Sequence, residues 1–225
     1  MKIAFDEWNL RGWHHPPANG VHAGDVAARD KNDINATYTM ADAVFSACFL
    51  NACLRHADSV EMACMAPLVN ARGPLFTHPS GIVKRTTYHA LWMFANLLEK
   101  NVASAWIQGD PFEHAQAEVP ALDAIATCDD AAETWRVLLV NRDAARELHC
   151  RILLEGAAPD GPLDATVLSA DSADAFNDTT YPERVAPLRT QLAVSKGAVR
   201  LPPHSITVVS IPGSPAVSAA AGLRP

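Results

Sequence analysis

Ile3-Ala4-Phe5-Asp6-Glu7-Trp8-Asn9 follows Met1-Lys2 and reads as a β-strand running from Lys2 to Trp8. By the period-two rule Ile3, Phe5 and Glu7 share one face, and Ala4, Asp6 and Trp8 the other. Apolar residues on both faces predict a strand buried on both sides, as in parallel sheets flanked by helices. Glu7 then ends the inward-facing row. A carboxylate at the C-terminal end of a parallel barrel strand sits where such barrels build their active sites. Trp8 and Asn9 beside it add an aromatic face and an amide, a combination that suits sugars: the ring stacks on C–H groups while amides and carboxylates bind hydroxyls. Spacing alone fits a polar strand end without function equally well.

Outward from this strand, Arg11 to Asn35 is a long polar loop containing Gly12, Pro16-Pro17, Gly20 and Gly24. Loops of that length inside a compact domain are often functional, and Trp13 and His14 are its candidates for sugar contact. A helix is expected over Thr39 to His56, where Ala43, Ala47, Leu50 and Leu54 form a stripe and Asp42 suits the helix dipole. Ser59 to Met65 reads as a short apolar strand, Pro67 to Arg85 as a loop, and Thr86 to Glu99 as a second helix. The repeating order of strand, loop and helix is that of a parallel α/β architecture.

After Val102 the character changes. Val102–Ile107, Leu122–Cys128, Thr134–Asn141, Arg146–Leu154, Asp164–Ser169, Gln191–Lys196 and Ser205–Ile211 read as short strands separated by turn residues. Such spacing predicts an antiparallel β-sandwich, jelly-roll-like in style. The expected organisation is an α/β unit over 1–101, a sandwich over 102–213 and a flexible small-residue tail over 214–225.

Composition narrows the function classes. The formal net charge of -7 argues against nucleic acid, which needs a cationic face, and the Lys84-Arg85 pair reads as solvated. No stretch is apolar for the ~18 residues a membrane span requires. The N-terminus has no signal-peptide shape, although the chain begins abruptly and a signal upstream would not be seen. Five cysteines without a CxxC spacing (Cys48, Cys53, Cys64, Cys128 and Cys150) read as buried reduced thiols of a reducing compartment. His14-His15 and His22 match no standard zinc spacing, so no metal and no cofactor are expected. His56, His78, His89 and His204 read as structural, and Asp58 and Asp143 as braces of turns.

Phe5-Asp6-Glu7-Trp8-Asn9 resembles the nucleophile motif of glycoside hydrolase family 51, the α-L-arabinofuranosidases. His56-Ala57-Asp58-Ser59-Val60, Ala63-Cys64-Met65-Ala66 and Leu68-Val69-Asn70 resemble that family's last barrel helix and strand. Arg72-Gly73-Pro74-Leu75-Phe76 and Gly81-Ile82-Val83-Lys84-Arg85-Thr86-Thr87 are similar to one bacterial branch of it. Val140-Asn141-Arg142-Asp143 and Leu201-Pro202-Pro203-His204-Ser205 resemble stretches of its C-terminal sandwich. The motifs follow one another in order over nearly the whole chain.

The resemblance implies the last two β/α units of a TIM (β/α)8 barrel followed by the sandwich, with Glu7 as the nucleophile of a retaining hydrolase. The acid/base partner of that family lies in an Asn-Glu pair on an earlier barrel strand, and this chain contains no such pair. The expectation is therefore a C-terminal fragment, inactive alone, whose partner is the missing front of the barrel, supplied upstream or by a separate chain. Implied with it are arabinofuranosyl oligosaccharides of arabinan or arabinoxylan as substrate, a homo-oligomeric whole enzyme and a cytoplasmic location. Where many members place a sugar-contacting Gln, this chain has Pro67, which offers no side-chain amide. Asn70 nearby is a candidate pocket residue, with loop capping as its competing role. Rival readings are a non-catalytic sandwich for binding or assembly, a subunit of a split glycosidase, and an unrelated barrel enzyme.

Overall fold

The computed structural model describes residues 1–10, 38–70, 72–109, 111–114, 117–154 and 156–213. Two compact units divide it: 1–91 with 170–186, and 92–169 with 187–225, the division falling within a helix.

The first unit begins with strand β1 (Ile3–Trp8), helix α1 (Met40–Arg55) and strand β2 (Val60–Met65), and β1 pairs with β2 in parallel. This is a strand–helix–strand crossover, which parallel pairing requires. Thr39 stops the helix at its N-terminus: its backbone N–H donates to Asp42 Oδ2 at 2.7 Å. The expected burial of β1 on both faces is not found, because Ile3 (40% exposed), Phe5 (37%) and Met62 on β2 (46%) remain open. Among the described residues the β1–β2 sheet has two strands, so neither has a second neighbour there to cover it.

Between β2 and the helix α2 (Thr86–Leu97), the stretch expected to be a loop contains a hairpin of β3 (Leu75–His78) and β4 (Gly81–Lys84). Pro74, Pro79 and Gly81 give that stretch its loop-like composition, but they fall at the start and turn of the hairpin. Gly81, facing His78 across the turn, takes a φ of 149°. Arg85 corrects the reading of a solvated basic pair. It is 1% exposed, its Nη1 donates to Gly73 O at 2.8 Å, and its Cζ lies 5.5 Å from the Tyr38 ring centroid and 5.6 Å from that of Phe76. Its neighbour Lys84 is exposed.

Residues 170–186 leave the strand succession of the second unit and belong to the first. They supply acceptors to the open end of α1: Met40 N donates to Ala175 O at 2.8 Å and Ala41 N to Ala173 O at 2.9 Å. Asn177 Nδ2 donates to Lys84 O and Val185 O, both at 2.8 Å, and Asn177 Oδ1 accepts from Val185 N at 2.7 Å. Nothing in the local sequence pattern announces this excursion.

The second unit contains β5 (Asn101–Ala103), β6 (Pro111–His114), β7 (Ala117–Pro120), β8 (Leu122–Cys128), β9 (Thr134–Asn141), β10 (Leu148–Arg151), β11 (Gly161–Leu168), β12 (Leu188–Val194), β13 (Ala198–Leu201) and β14 (Ser205–Pro212). Six strands form one antiparallel sheet in the order β12-β11-β14-β9-β8-β5, and β10 with β13 forms a second, antiparallel pair. Trp135, Leu139, Leu163 and Val209 of the large sheet share one buried cluster with Val199 and Leu201 of the small one. Two sheets facing a common apolar layer make this unit a β-sandwich. Asn141 locks a corner of it, donating to the carbonyls of Arg146 and Pro202 at 2.9 and 2.8 Å, and Asp143 braces the adjoining turn by accepting from Ala145 N and Arg146 N.

All five cysteines are free, as expected, but only Cys128 is buried, and Cys64 is exposed on β2. Among the described residues β2 pairs with β1 alone. Burial raises the thiols of Cys53 and Cys128 and pushes Cys150 up to about 11. No described helix is long and apolar enough to cross a membrane, and no cluster of potential metal ligands occurs among the described residues.

His89, on α2, is 8% exposed, and burial, with the charge of Lys84 adding to it, lowers its pKa to about 4. The neutral ring is the folded form. An unfolded histidine takes up a proton near pH 6.5, so stability held above that pH is lost progressively as pH falls toward 4, by about 3 kcal/mol. Denaturant titrations of wild type and His89→Gln between pH 7 and 4 should show the variant's slope flattened. Identical slopes would contradict this account of His89.

Candidate active site

Glu7 is placed by what flanks it. The β1–β2 register shifts between Phe5 and Trp8: Phe5 pairs with Ala63 and Trp8 with Met65, so β1 carries one residue more than its partner there. This bulge changes the expected alternation. Phe5 and Trp8 both pack on Phe49 of α1, with ring centroids 5.6 and 4.4 Å away. Counted from Phe5, alternation puts Glu7 on the helix side, and counted from Trp8 on the opposite side, so the bulge between them breaks the period at Glu7. Its side chain is exposed at the C-terminal end of the strand.

Trp8 is 9% exposed, and its Nε1 is buried without an acceptor. The indole ring packs on Phe49, so it serves the junction of β1 with α1.

Asn9 uses its whole amide inside the chain. Its Nδ2 donates to Ala66 O at 2.9 Å and to Arg72 O at 3.0 Å, while its Oδ1 accepts from Leu10 N at 2.8 Å and from the Tyr38 hydroxyl at 3.1 Å. Two donors and two acceptor positions are the full inventory of a primary amide. Ala66 is held a second time, its N–H donating to Trp8 O at 3.0 Å. The geometry gives Asn9 the role of a clasp between the end of β1, the end of β2 and the segment leading to β3.

Asn70 adopts a left-handed conformation, with φ of 56°, and its Oδ1 accepts from Thr77 N at 2.8 Å and Thr77 Oγ1 at 2.9 Å. These bonds make it the cap of the loop before the hairpin. Pro67 stands between Ala66 and this loop, joined to Ala66 through a cis peptide bond. Trp13 and His14, and the long loop that carries them, lie outside the described residues.

Tyr38 and Arg85 were not among the expected site residues. Tyr38 carries a signal only in hindsight, as a lone aromatic just before a helix cap, and Arg85 is masked by its charge. Both are 1% exposed, and Tyr38 reaches Asn9 directly. Asn9→Ala should cost about 2–4 kcal/mol of stability, since two carbonyls lose their donors at once. Urea unfolding measures it, and a loss within ~0.5 kcal/mol, the range of ordinary surface changes, would deny Asn9 the clasp role.

The model of the family described as "Alpha-L-arabinofuranosidase C-terminal domain" matches residues 6–205. A probable alpha-L-arabinofuranosidase C of Aspergillus fumigatus is 29% identical over 215 residues, which are 92% of this chain and 39% of that protein. An intracellular exo-alpha-(1->5)-L-arabinofuranosidase of Bifidobacterium longum is 30% identical over 213 residues, 87% of this chain and 38% of the relative. Among solved structures, a family 51 alpha-L-arabinofuranosidase of Bifidobacterium longum superposes with a TM-score of 0.75 at 26% identity, covering 95% of this chain and 43% of that one. The chain thus spans about two fifths of the length of the relatives it matches. It belongs to the alpha-L-arabinofuranosidase C-terminal domain family and is similar to the C-terminal part of family 51 arabinofuranosidases.

Proposed function

We propose that this chain forms the C-terminal part of a retaining α-L-arabinofuranosidase and carries its nucleophile, Glu7. The observation that supports this most is the exposed carboxylate at the C-terminal end of a parallel strand, in a chain of that family. In this reading β1 and β2 are the last two strands of a (β/α)8 barrel. Their open faces and single pairing are the surfaces that the remaining strands and helices cover.

The chemistry follows from a carboxylate in that position. A Glu7 carboxylate oxygen attacks the anomeric carbon of a terminal arabinofuranosyl unit, while a second carboxylic acid protonates the departing oxygen. The resulting ester is hydrolysed by water, from which that second carboxylate now removes a proton. The two carboxyl groups must stand ~5–5.5 Å apart for this double displacement. The second group comes, in this account, from the part of the enzyme corresponding to the other three fifths of the relatives. Arabinan or arabinoxylan oligosaccharides are the proposed substrates. A cytoplasmic location accords with the name of the intracellular Bifidobacterium longum relative and with five free cysteines.

A second reading rests on the sandwich, which has a buried core of its own. A unit that folds without the barrel could serve binding or assembly, with Glu7 unused. Hydrolysis of an aryl α-L-arabinofuranoside separates the two. The isolated chain should be silent, and the chain combined with the front of the barrel should turn over. In the combined enzyme Glu7→Ala should lower kcat by roughly 10³-fold or more, with recovery by azide as an external nucleophile. Near-normal turnover by Glu7→Ala would remove Glu7 from the reaction.

A further inference from the structure

We propose that Tyr38 and Arg85 are positioning residues for Glu7, acting through the amide of Asn9. The inference rests on the reading of Glu7 as nucleophile. Glu7 lies between two fixed points, Phe5 and Trp8, both packed on Phe49. Packing sets the faces of those residues, and Ala66 N–H donates to Trp8 O, but the bulge interrupts the regular ladder before that point. Asn9 holds the end beyond it, since its Nδ2 grips Ala66 O and Arg72 O while its Oδ1 faces the Tyr38 hydroxyl.

The orientation of the Asn9 amide is fixed by its neighbours: exchanging its oxygen and nitrogen would point N–H groups at Leu10 N–H and oxygen at the Ala66 and Arg72 carbonyls. The Tyr38 hydroxyl, 3.1 Å from Asn9 Oδ1 and 3.0 Å from Leu10 O, shares its one proton between these two acceptors and so holds the amide and the backbone after it in place. Tyr38 is itself held by Arg85, whose guanidinium lies over its ring and over that of Phe76. Arg85 also donates to Gly73 O, next to Arg72, whose carbonyl Asn9 holds. A glycine is needed at 73 because a Cβ there would lie 2.5 Å from the backbone of Leu68. The relay runs from the β3–β4 hairpin, through Arg85 and Tyr38, to the residue two positions after Glu7. A planar cation over aromatic rings keeps its geometry better than a flexible ammonium would.

A brace for the fold alone would affect melting and the fraction of working sites. A positioning relay would also slow each working site, because a small displacement of a nucleophile costs rate steeply. The test uses the chain combined with the front of the barrel and a dinitrophenyl α-L-arabinofuranoside. The number of working sites is counted by trapping the glycosyl-enzyme with a fluorinated substrate. Tyr38→Phe keeps the ring beneath Arg85 and removes only the hydroxyl. It should lower kcat per working site by about tenfold or more, with KM changed less than about threefold. Val209→Ala, in the sandwich core, should lower melting while leaving kcat per site intact. If Tyr38→Phe does not fold, Arg85→Lys carries the same expectation. A kcat per site within twofold of wild type in the folded variant would overturn the proposal. If instead Glu7→Gln retains wild-type kcat, the underlying nucleophile assignment fails, and that outcome is distinct from a failed relay.

Discussion

The end of the first strand depends on one side chain, the amide of Asn9. A parallel strand pair of this kind is weakly determined at its tips: hydrogen bonds stop, and nothing in the ladder fixes what the last side chain does. Asn9 supplies the missing constraints by joining Ala66 and Arg72 to the strand that bears Glu7. An amide can do this because it offers donors and acceptors at once, in a plane. An alkyl or carboxylate side chain would leave carbonyls unmatched. The bulge before Asn9 breaks the strand's alternation beside the Glu7 carboxylate.

The two units solve different physical problems. The sandwich has two sheets that share one apolar layer, so its apolar side chains find partners within the unit. The other unit has a complete helix, the β1–β2 pair and the β3–β4 hairpin, yet Ile3, Phe5 and Phe49 line an open apolar groove with Cys53 and Val60. Exposed apolar surface of that kind marks a place where another surface belongs. The segment 170–186 shows how the chain compensates within its own length, closing the N-terminal end of α1 with backbone carbonyls.

Much of this was legible in the sequence where local periodicity and burial agree. Leu122–Cys128 and Thr134–Asn141 are strands to the residue, and α1 and α2 fall within two residues of their expected limits. Three features were not. The hairpin over 75–84 was hidden by proline and glycine, which signal turns without saying what lies between them. Arg85 read as solvated because charge predicts exposure, whereas its planar cation is buried against the rings of Tyr38 and Phe76. The extra residue between Phe5 and Trp8 was not foreseen, since period-two reasoning cannot anticipate a bulge. The candidate site was legible as a motif, but the work of Asn9 was not: its spacing suggested sugar contact, and its partners other than its neighbour Leu10 come from 29 to 63 residues away.

The central claim is that Glu7 forms a covalent bond with the sugar. Mass spectrometry of the combined enzyme after brief exposure to a fluorinated aryl α-L-arabinofuranoside tests it directly. The account predicts one added glycosyl group, located by fragmentation on the peptide that contains Asp6-Glu7-Trp8 and assigned to Glu7. A glycosyl group on any other carboxylate, or an active enzyme that never acquires one, would contradict it.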